Sequence, residues 1–355
     1  MRIILIFQIF WILGIPYVTT KCLDDNSNPV EWFIAYKFPD SFDYSYILPT
    51  SETWKNSSFK INTDGMIKNT FNALYAVKDK PNTMYAMYND EKSHIQSGDV
   101  WFGHMKGAFT FDLQSGFWLI HSVPKLSEST GSYAYPETGK VFAQHFFCVT
   151  LSATALDSLI DQLLIARPWI QDYYISKETE LTHPKLLSLI NHKSHTNITH
   201  SICEFTSSEH GLQMLHFSKG TRFQHDLYAN LVAPRLKTGL NVETWQHGSD
   251  KENEPSVCEK PDSTVFNVKR VAFEPLGVKF SSYQDHSKWA VSLRSRSNYA
   301  DDSGWVCLGD INRQFSQFHR GGGTLCVHNP LIWKAFSSIV VEVEPCKSTR
   351  MFSYS

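Results

Sequence analysis

The sequence has 355 residues, of which 42% are hydrophobic and 19% are charged, and its formal net charge is −2 at pH 7. This length is sufficient for one large core or for two packed halves, and the near-neutral charge argues against a constitutively basic nucleic-acid-binding protein. Fifteen histidines qualify that argument, because protonating all of them would raise the formal charge to +13. Since the reference pKa of histidine is about 6.5, an acidic compartment would make the chain attractive to phosphate.

The first twenty residues have the features of a signal peptide. Arg2 provides a basic start, and residues 3–15 form an apolar core that is interrupted by Gln8 and followed by small residues before Lys21. The apolar stretch is shorter than the roughly 20 residues of a transmembrane helix, and no later segment resembles one. An uncleaved membrane anchor is the alternative. We expect a mature chain that is soluble and either lumenal or secreted.

Cysteines and glycosylation signals agree with this compartment. All seven cysteines follow residue 20 and none is spaced as C-x-x-C, so zinc ribbons and thioredoxin-like chemistry are poorly supported. The odd number leaves at least one thiol unpaired or bonded to another chain. Asn56 and Asn197 begin N-glycosylation sequons in predicted loops. These features are typical of a protein of the secretory pathway.

The periodicity predicts mostly β structure with a few helices. Predicted strands in the first half cover 30–38 and 83–88, and a hairpin of 99–113 and 117–123 turns at residues 114–116. Ser152 is predicted to cap a helix that ends at Pro168. Further helices are predicted at 186–191 and 227–232, a surface loop at 249–263, and strands at 265–273, 286–293 and 305–308. Asn329 is predicted to cap a final helix with Pro330 at its first position.

Strands and helices alternate in both halves, which predicts an α/β (α+β) fold of mixed sheets covered by helices. A coarse pattern recurs: an H-x-K triplet is followed by apolar residues and then by a glycine with a tryptophan, at 116–118 and at 304–305. This recurrence predicts two related halves with a boundary between residues 165 and 200.

The two H-x-K triplets are the candidate site. His104 and Lys106 form one pair and His286 and Lys288 the other, and alternate side chains of a strand point to the same face. A titratable imidazole and an ammonium could therefore address one ligand, and glycines at 103 and 107 would let it come close. The spacing alone does not separate a functional pair from a merely exposed one. A third triplet, at 183–185, contains a proline ahead of a helix and is interpreted as structural.

Longer motifs occur in one order along the mature chain. They are NPVEWF at 28–33, GHMKG at 103–107, GFWLIHSVP at 116–124, DHSKW at 285–289, CLGDINR at 307–313 and RGGGTLC at 320–326. With these motifs the chain resembles the deoxyribonuclease II family of acid endonucleases, whose halves resemble the phospholipase D fold. The resemblance implies a phospholipase D-like half at 21–180 and another at 181–355, forming a pseudo-dimer with one shared active site.

For function, the resemblance implies hydrolysis of double-stranded DNA in acid without metal or other cofactor, leaving 3′-phosphate ends, in lysosomes or outside the cell. The implied catalytic residues are His104, Lys106, His286 and Lys288. One histidine attacks phosphorus to form a phosphohistidine, and the other protonates the departing 5′ oxygen and then activates water. The lysines stabilise the developing charge and lower the pKa of the neighbouring histidines. The flanking glycines favour His104 as the nucleophile and His286 as the acid.

Phospholipase D enzymes also carry an aspartate five residues after the lysine, where this chain has Phe111 and Leu293. Asp112 and Asn312 are therefore the candidates for orienting the histidines. His121 is a candidate for lining the groove, with a buried structural histidine as the alternative.

Two arginines and the cysteines complete the implied site. Arg313 and Arg320 are candidates for binding DNA phosphates, with solvated arginines in a turn as the alternative. The resemblance further implies the disulfides Cys22–Cys148, Cys258–Cys346 and Cys307–Cys326, with Cys203 left over.

Two other functions are considered. A catalytically silent secreted nucleic-acid-binding protein is disfavoured because both H-x-K pairs are intact. A phospholipase D-like lipid phosphodiesterase is disfavoured by the length of the nuclease-type motifs. No membrane partner is expected, and a monomer and a homodimer both remain open.

Overall fold

The computed structural model describes residues 19–90, 102–127, 131–193, 197–249, 251–258, 263–293 and 304–346. The predicted signal peptide lies outside these residues except for its last two. None of the helices in these ranges combines the length and the hydrophobicity that a membrane span requires.

The described part of the chain forms strands β1 to β19 and helices α1 to α7. In chain order the strands are Cys22–Leu23, Pro29–Val30, Trp32–Lys37, Tyr44–Ile47, Lys55–Asn56, Met84–Asn89, Gly107–Phe111, Ser115–His121, Gln144–Ser152, Trp169–Ile175, His200–Thr206, Gln213–Lys219, Leu240–Glu243, Val265–Phe273, Val278–Ser281, Trp289–Ser292, Trp305–Gly309, Gly322–His328 and Val340–Val343. The helices are Met66–Ala76, Leu156–Ala166, Lys177–Thr182, Lys185–Ile190, Ala233–Leu236, Phe315–Phe318 and Pro330–Ile339. A π-helical turn, Tyr228–Val232, leads into α5.

Two large sheets contain most of the strands in the described ranges. The first has the order β10-β6-β7-β8-β9-β3-β4-β5, and the second has the order β11-β12-β18-β17-β16-β13-β14-β15, with β19 paired to β14. The run β6-β7-β8-β9-β3 corresponds to the run β13-β16-β17-β18-β12, and every pairing within both runs is antiparallel. Strands β7 and β16 therefore occupy equivalent places.

Both faces of the central strands of the first sheet are buried, whereas its edge strands β5 and β10 are partly exposed. On β3, Trp32 and Ile34 enter the central core, whereas Phe33 and Ala35 face a second core beneath α1. This alternation follows from the two-residue period of a strand. Because both faces meet apolar neighbours, the strand is a continuous hydrophobic run in the sequence rather than an alternating one.

The central core joins the two halves. It contains residues of both sheets together with α2 and α7. The ring of Trp118 lies 5.0 Å from that of His216 in the second sheet, and the indole Nε1 of Trp54 donates to the carbonyl of Ala335 at 2.9 Å. The halves are thus packed through one shared apolar interior. The division at residues 180/181 stays a prediction; it falls inside α3, and α4 packs against α2 and β10.

The predicted mixed α+β architecture is confirmed, with large sheets and few helices. Asn329 caps the last helix by accepting from the N–H of Ile332 at 3.0 Å, as predicted. Ser152 caps a 3-10 turn that runs into α2. The hairpin differs, because β7 begins only at Gly107. Both H-x-K pairs therefore lie in extended segments just ahead of a strand rather than within one.

The disulfide pairs implied by the resemblance form: Cys22–Cys148, Cys258–Cys346 and Cys307–Cys326. Cys203 carries a free thiol on β11. Cys307 and Cys326 are directly opposite each other on β17 and β18. Asn56 and Asn197 are exposed, and their glycosylation stays a prediction.

Candidate active site

The two H-x-K pairs hold equivalent positions. His104 and Lys106 directly precede β7, and His286 and Lys288 directly precede β16. Burial is the main cause of a lowered pKa at both histidines, and the lysine of the opposite half lowers it further in each case. Adjacent residues connect the two pairs, because the backbone N–H of Gly309 donates to the carbonyl of Lys288 at 2.9 Å and Oδ1 of Asp310 accepts the backbone N–H of Lys106 at 3.3 Å.

His104 is held by the opposite half of the chain. Its Nδ1 lies 2.6 Å from the carbonyl oxygen of Asp310. Because a carbonyl only accepts hydrogen bonds, Nδ1 carries the proton and Nε2 keeps the lone pair. Burial, followed by Lys106, holds the pKa of His104 well below its usual range. The low pKa favours a neutral imidazole whose lone pair is on Nε2.

Asp90, which the sequence interpretation missed, lies at the centre of the first pair. Its Oδ2 is 3.4 Å from Nε2 of His104 and 3.6 Å from Nη1 of Arg320, and it forms an ion pair with Lys106. Burial alone would raise the pKa of Asp90, but the ammonium of Lys106 and the guanidinium of Arg320 outweigh burial and hold the pKa below its ordinary value. The sequence feature that could have identified Asp90 is a charged residue directly after a hydrophobic strand.

Asp310 and His145 tie the two halves together at the lysines. The backbone N–H of Lys106 donates to Oδ1 of Asp310 at 3.3 Å, and the backbone N–H of Lys288 donates to Nδ1 of His145 at 3.2 Å. Burial raises the pKa of Asp310 to about 8. Asp310 lies within the CLGDINR motif, and its membership of that motif could have identified it from the sequence.

His286 is held by aromatic rings. Its ring stacks on Phe142 at 4.0 Å and lies against Trp245 at 4.1 Å. Within the described residues, its Nε2 has no hydrogen-bond partner. Burial, then Lys288 and Lys106, lowers the pKa of His286 to about 2. Burial and the two neighbouring ammonium groups therefore favour the neutral imidazole in the free protein.

Lys288 is almost completely buried. Its Nζ donates to the carbonyl of His286 at 2.5 Å. Burial, followed by repulsion from Lys106, lowers the pKa of Lys288 to about 7. Its ammonium is therefore present in acid and is lost as the pH rises through neutrality.

Two buried carboxyl groups, Asp285 and Glu243, interact electrostatically with Lys288. Asp285 accepts hydrogen bonds from the hydroxyl of Tyr36 and from the backbone N–H of Ser287. Glu243 is fully buried, and its carboxyl oxygens have no hydrogen-bond partner within the ranges given above. Burial raises the pKa of both groups. A protonated Glu243 adds no negative charge, so it does not cancel the ammonium of Lys288.

His121, a candidate supporting residue, and Arg320, a candidate for binding DNA phosphates, lie beside the first pair. His121, at the end of β8, donates its backbone N–H to the carbonyl of Lys106 at 3.1 Å, and its ring stacks on Phe146. Burial, then Lys106, lowers its pKa to about 3. Arg320 reaches Asp90 and also donates to the carbonyl of Phe102 at 3.2 Å. A neutral His121 and a charged Arg320 therefore flank Lys106.

The structure does not bring Asp112, Asn312 and Arg313 into contact with the histidines. Asp112 lies at the far end of β7 and accepts from the backbone N–H of residues 114 and 115 at the hairpin turn. Asn312 donates to Gln314 at 3.4 Å. Arg313 is buried in an ion pair with Asp226 at 2.7 Å, so its guanidinium does not fit the predicted contact with DNA phosphates.

The glycines beside His104 serve packing. A Cβ at residue 103 would lie 2.5 Å from the carbonyl oxygen of Ala166, and one at residue 107 would lie 2.4 Å from the hydroxyl of Tyr88. The space that they leave is filled by the protein, so it is not available to a ligand as the sequence interpretation expected. Across the described ranges, no cluster of three or more histidine, cysteine, aspartate or glutamate side chains is arranged to hold a metal ion.

Comparison with known proteins identifies the family. The family model for deoxyribonuclease II matches residues 21–346. The chain is 35% identical to plancitoxin-1 of Acanthaster planci over 92% of each chain, and 33% identical to deoxyribonuclease-2-beta of Mus musculus over 97% of each. It is 32% identical to cell death-related nuclease 6 of Caenorhabditis elegans, covering 96% of this chain and 93% of that protein. With a match over nearly its whole length, this chain belongs to the deoxyribonuclease II family of DNA-degrading nucleases.

Proposed function

We propose that this protein is a metal-independent acid endonuclease that hydrolyses double-stranded DNA to 3′-phosphate ends in lysosomes or outside the cell. The observation that carries the proposal is the pair of H-x-K segments in equivalent positions, which the adjacent residues Gly309 and Asp310 join by hydrogen bonds to Lys288 and Lys106. Membership of the deoxyribonuclease II family supports DNA as the substrate.

In the first step, Nε2 of His104 attacks phosphorus and the bond from phosphorus to the 5′ oxygen breaks. The product is a phosphohistidine that retains the 3′ side of the strand. The hydrogen bond from Nδ1 to the carbonyl of Asp310 supports this role, because it leaves the lone pair on Nε2. His286 gives its proton to the departing 5′ oxygen.

In the second step, neutral His286 takes a proton from water, and the hydroxide attacks phosphorus and displaces Nε2 of His104. The 3′-phosphate leaves, and His286 is again protonated for the next cycle. In the free protein burial and two lysines keep His286 neutral. The phosphodiester monoanion raises its pKa on binding, so substrate binding is coupled to proton uptake and is favoured in acid.

Fixed cations supply the electrostatic stabilisation that metal ions provide in other nucleases. Lys106 and Lys288 face the non-bridging oxygens and stabilise the charge that develops there. Both ammonium groups are almost completely buried, where their field is stronger than in water.

The recurrent strand order supports the proposal that each half is phospholipase D-like. Strands β7 and β16 occupy equivalent places, and the segment that precedes each carries one histidine and one lysine. In this arrangement the halves form a pseudo-dimer, and neither half contains a complete site.

Plasmid nicking over a range of pH, with and without a chelator, tests the proposal. We expect cleavage that is strongest in acid and unchanged by EDTA. Its 3′ ends should accept a label only after 3′-phosphatase treatment. Loss of all cleavage in EDTA with recovery on adding magnesium would exclude the mechanism. Hydrolysis of phospholipid without cleavage of DNA would instead favour a lipid phosphodiesterase.

A further inference from the structure

A second pair of lysines lies at equivalent positions in the two sheets. Lys37 is the last residue of β3 and Lys219 the last residue of β12, and both are fully buried. Lys37 is opposite the first residue of β9, Gln144, and Lys219 is opposite the first residue of β18, Gly322. The two lysines thus share their side-chain type, their burial and their strand register. This agreement makes them equivalent positions of the two halves.

Each of these ammonium groups binds backbone carbonyls of the segment ahead of the neighbouring strand. Nζ of Lys37 donates to the carbonyl of Lys140 at 2.6 Å. Nζ of Lys219 donates to three carbonyls, those of Gln317 at 2.8 Å, Phe318 at 3.2 Å and Arg320 at 2.5 Å. A lysine offers up to three donors, and at residue 219 all three are used to hold one loop.

The last residue of each segment, at 140–143 and at 317–321, accepts a hydrogen bond from a histidine of the opposite half. The carbonyl of Ala143 accepts the backbone N–H of His286 at 2.9 Å, and the carbonyl of Gly321 accepts that of His104 at 2.8 Å. Lys37 therefore supports the segment that holds His286, and Lys219 supports the segment that holds His104. In each case the lysine and the supported histidine come from different halves.

Each segment also presents a side chain to the site. Phe142 stacks on the ring of His286, and Arg320 reaches the carboxylate of Asp90. A shift of either segment would therefore move a backbone hydrogen bond and a side-chain contact at the same time. A misplacement of about 1 Å at a reacting group can reduce the rate about a hundredfold.

At a fully buried position an apolar side chain would cost less desolvation free energy than a lysine. Removing an ammonium from water is unfavourable unless hydrogen bonds replace its hydration, and no carboxylate forms an ion pair with Lys37 or Lys219 among the described residues. Burial lowers the pKa of both groups to about 7. Both lysines are thus charged in the acidic range in which the proposed reaction proceeds.

We propose that Lys37 and Lys219 are positioning residues, each holding the catalytic histidine of the opposite half in place through the loop that it supports. The proposal rests on the proposed function, in that the positioned histidines are the ones that act on phosphorus. Neither lysine touches the reacting atoms.

The test compares Lys37→Met and Lys219→Met with Lys185→Met, which removes an exposed lysine paired with Asp161. At temperatures well below unfolding in acidic buffer, we expect kcat of the two buried-site variants to fall about tenfold to a hundredfold. KM should stay within about threefold of the original, because the phosphate-binding cations remain. The Lys185→Met control should keep both constants. The substitutions Lys37→Arg and Lys219→Arg keep a charged donor, so these variants should retain part of the kcat that the methionine variants lose.

A second readout separates positioning from general loss of stability. Each folded protein is treated with diethyl pyrocarbonate, and the extent of modification at each histidine is measured by peptide mass spectrometry. Lys219→Met should change the rate at His104 by at least about threefold and leave His286 unchanged, and Lys37→Met should do the reverse, because each residue supports one loop. If a methionine variant does not fold, Lys37→Gln or Lys219→Gln, which keeps an amide donor, carries the test.

Two outcomes would overturn the proposal: unchanged kcat in folded variants, or equal changes at both histidines. If the unmodified protein cleaved no DNA, the proposed function would fail, whereas the pattern of histidine modification would still report on positioning. The two hypotheses are therefore tested separately.

Discussion

Nδ1 of His104 lies 2.6 Å from the carbonyl oxygen of Asp310, a residue of the opposite half. This contact sets the tautomer of the proposed nucleophile from outside its own half, since only a protonated Nδ1 can donate to a carbonyl. Asp310 also accepts the backbone N–H of Lys106 through its carboxyl group. One residue of the second half therefore orients both members of the first pair.

Replacing either histidine should abolish turnover. In His104→Ala the nucleophile is lost, and in His286→Ala the leaving 5′ oxygen receives no proton, so neither variant should cleave a plasmid in acid. Binding should largely persist, because cations supply most of the affinity for DNA. Gel-shift and nicking assays on the same preparations measure both properties. Acid-quenched enzyme analysed by mass spectrometry should carry phosphate on His104; phosphate on His286 would reverse the roles.

The pKa of about 7 at Lys288 predicts the alkaline limb of activity. Lys288 is charged below this pKa and neutral above it, so transition-state stabilisation decreases as the pH rises through neutrality. Lys288→Ala should reduce kcat about a hundredfold to a thousandfold in acid. Lys288→Arg keeps its charge at all these pH values, so its alkaline limb should move to higher pH. A pH profile of kcat/KM in which Lys288→Arg keeps the original limb would contradict this assignment.

The same pKa predicts a trend in stability. Between about pH 7 and the reference value near 10.4, the unfolded chain binds a proton at Lys288 that the folded chain does not. The free energy of unfolding contributed by this group should therefore rise with pH across that window. Urea titrations of the original protein and of Lys288→Met measure this difference. An equal pH dependence in both proteins would show that Lys288 is not the titrating group.

Arg313 and Arg320 should respond differently to the same substitution. Arg313→Met leaves the buried carboxylate of Asp226 without its partner, which should reduce the free energy of unfolding by about 3–5 kcal/mol. Arg320→Met removes a cation beside Asp90, so it should mainly reduce activity. Urea unfolding and nicking assays on both variants check the contrast. If Arg313→Met lost as much activity as Arg320→Met and kept its stability, Arg313 would have to act directly in the site.

The Cys307–Cys326 disulfide encloses the loop that carries Asp310 and Arg320. Its cysteines are 19 residues apart, and a bridge of this span contributes about 3 kcal/mol. The double variant Cys307→Ala/Cys326→Ala should lose stability of this order and lose activity at temperatures where it remains folded. Thermal unfolding and nicking measure the two effects. Peptide mapping that placed Cys203 in a bond with either cysteine would contradict the pairing.

The two H-x-K pairs could be singled out from the sequence because each pair is local in the chain. Each contains a histidine and a lysine two residues apart beside a hydrophobic strand, and motif order pointed to the family. The partners that hold them were less predictable. Asp90 and Asp310 reach His104 from positions 14 residues before and 206 residues after it, and a sequence pattern carries no information on such distances. Arg313 is the opposite case: its motif suggested a contact with DNA phosphates, whereas the structure buries its guanidinium against Asp226.

By itself the sequence determined the local features: the secretory pattern of cysteines, the caps at Ser152 and Asn329, and the residue types for acid–base chemistry on phosphate. These follow from nearest-neighbour chemistry and periodicity along the chain. Only the tertiary structure decided which groups are buried together, and burial sets the pKa values of His104, His286 and Lys288. The physical reason is that desolvation and charge interactions depend on distance in space, which the packing of the two sheets establishes.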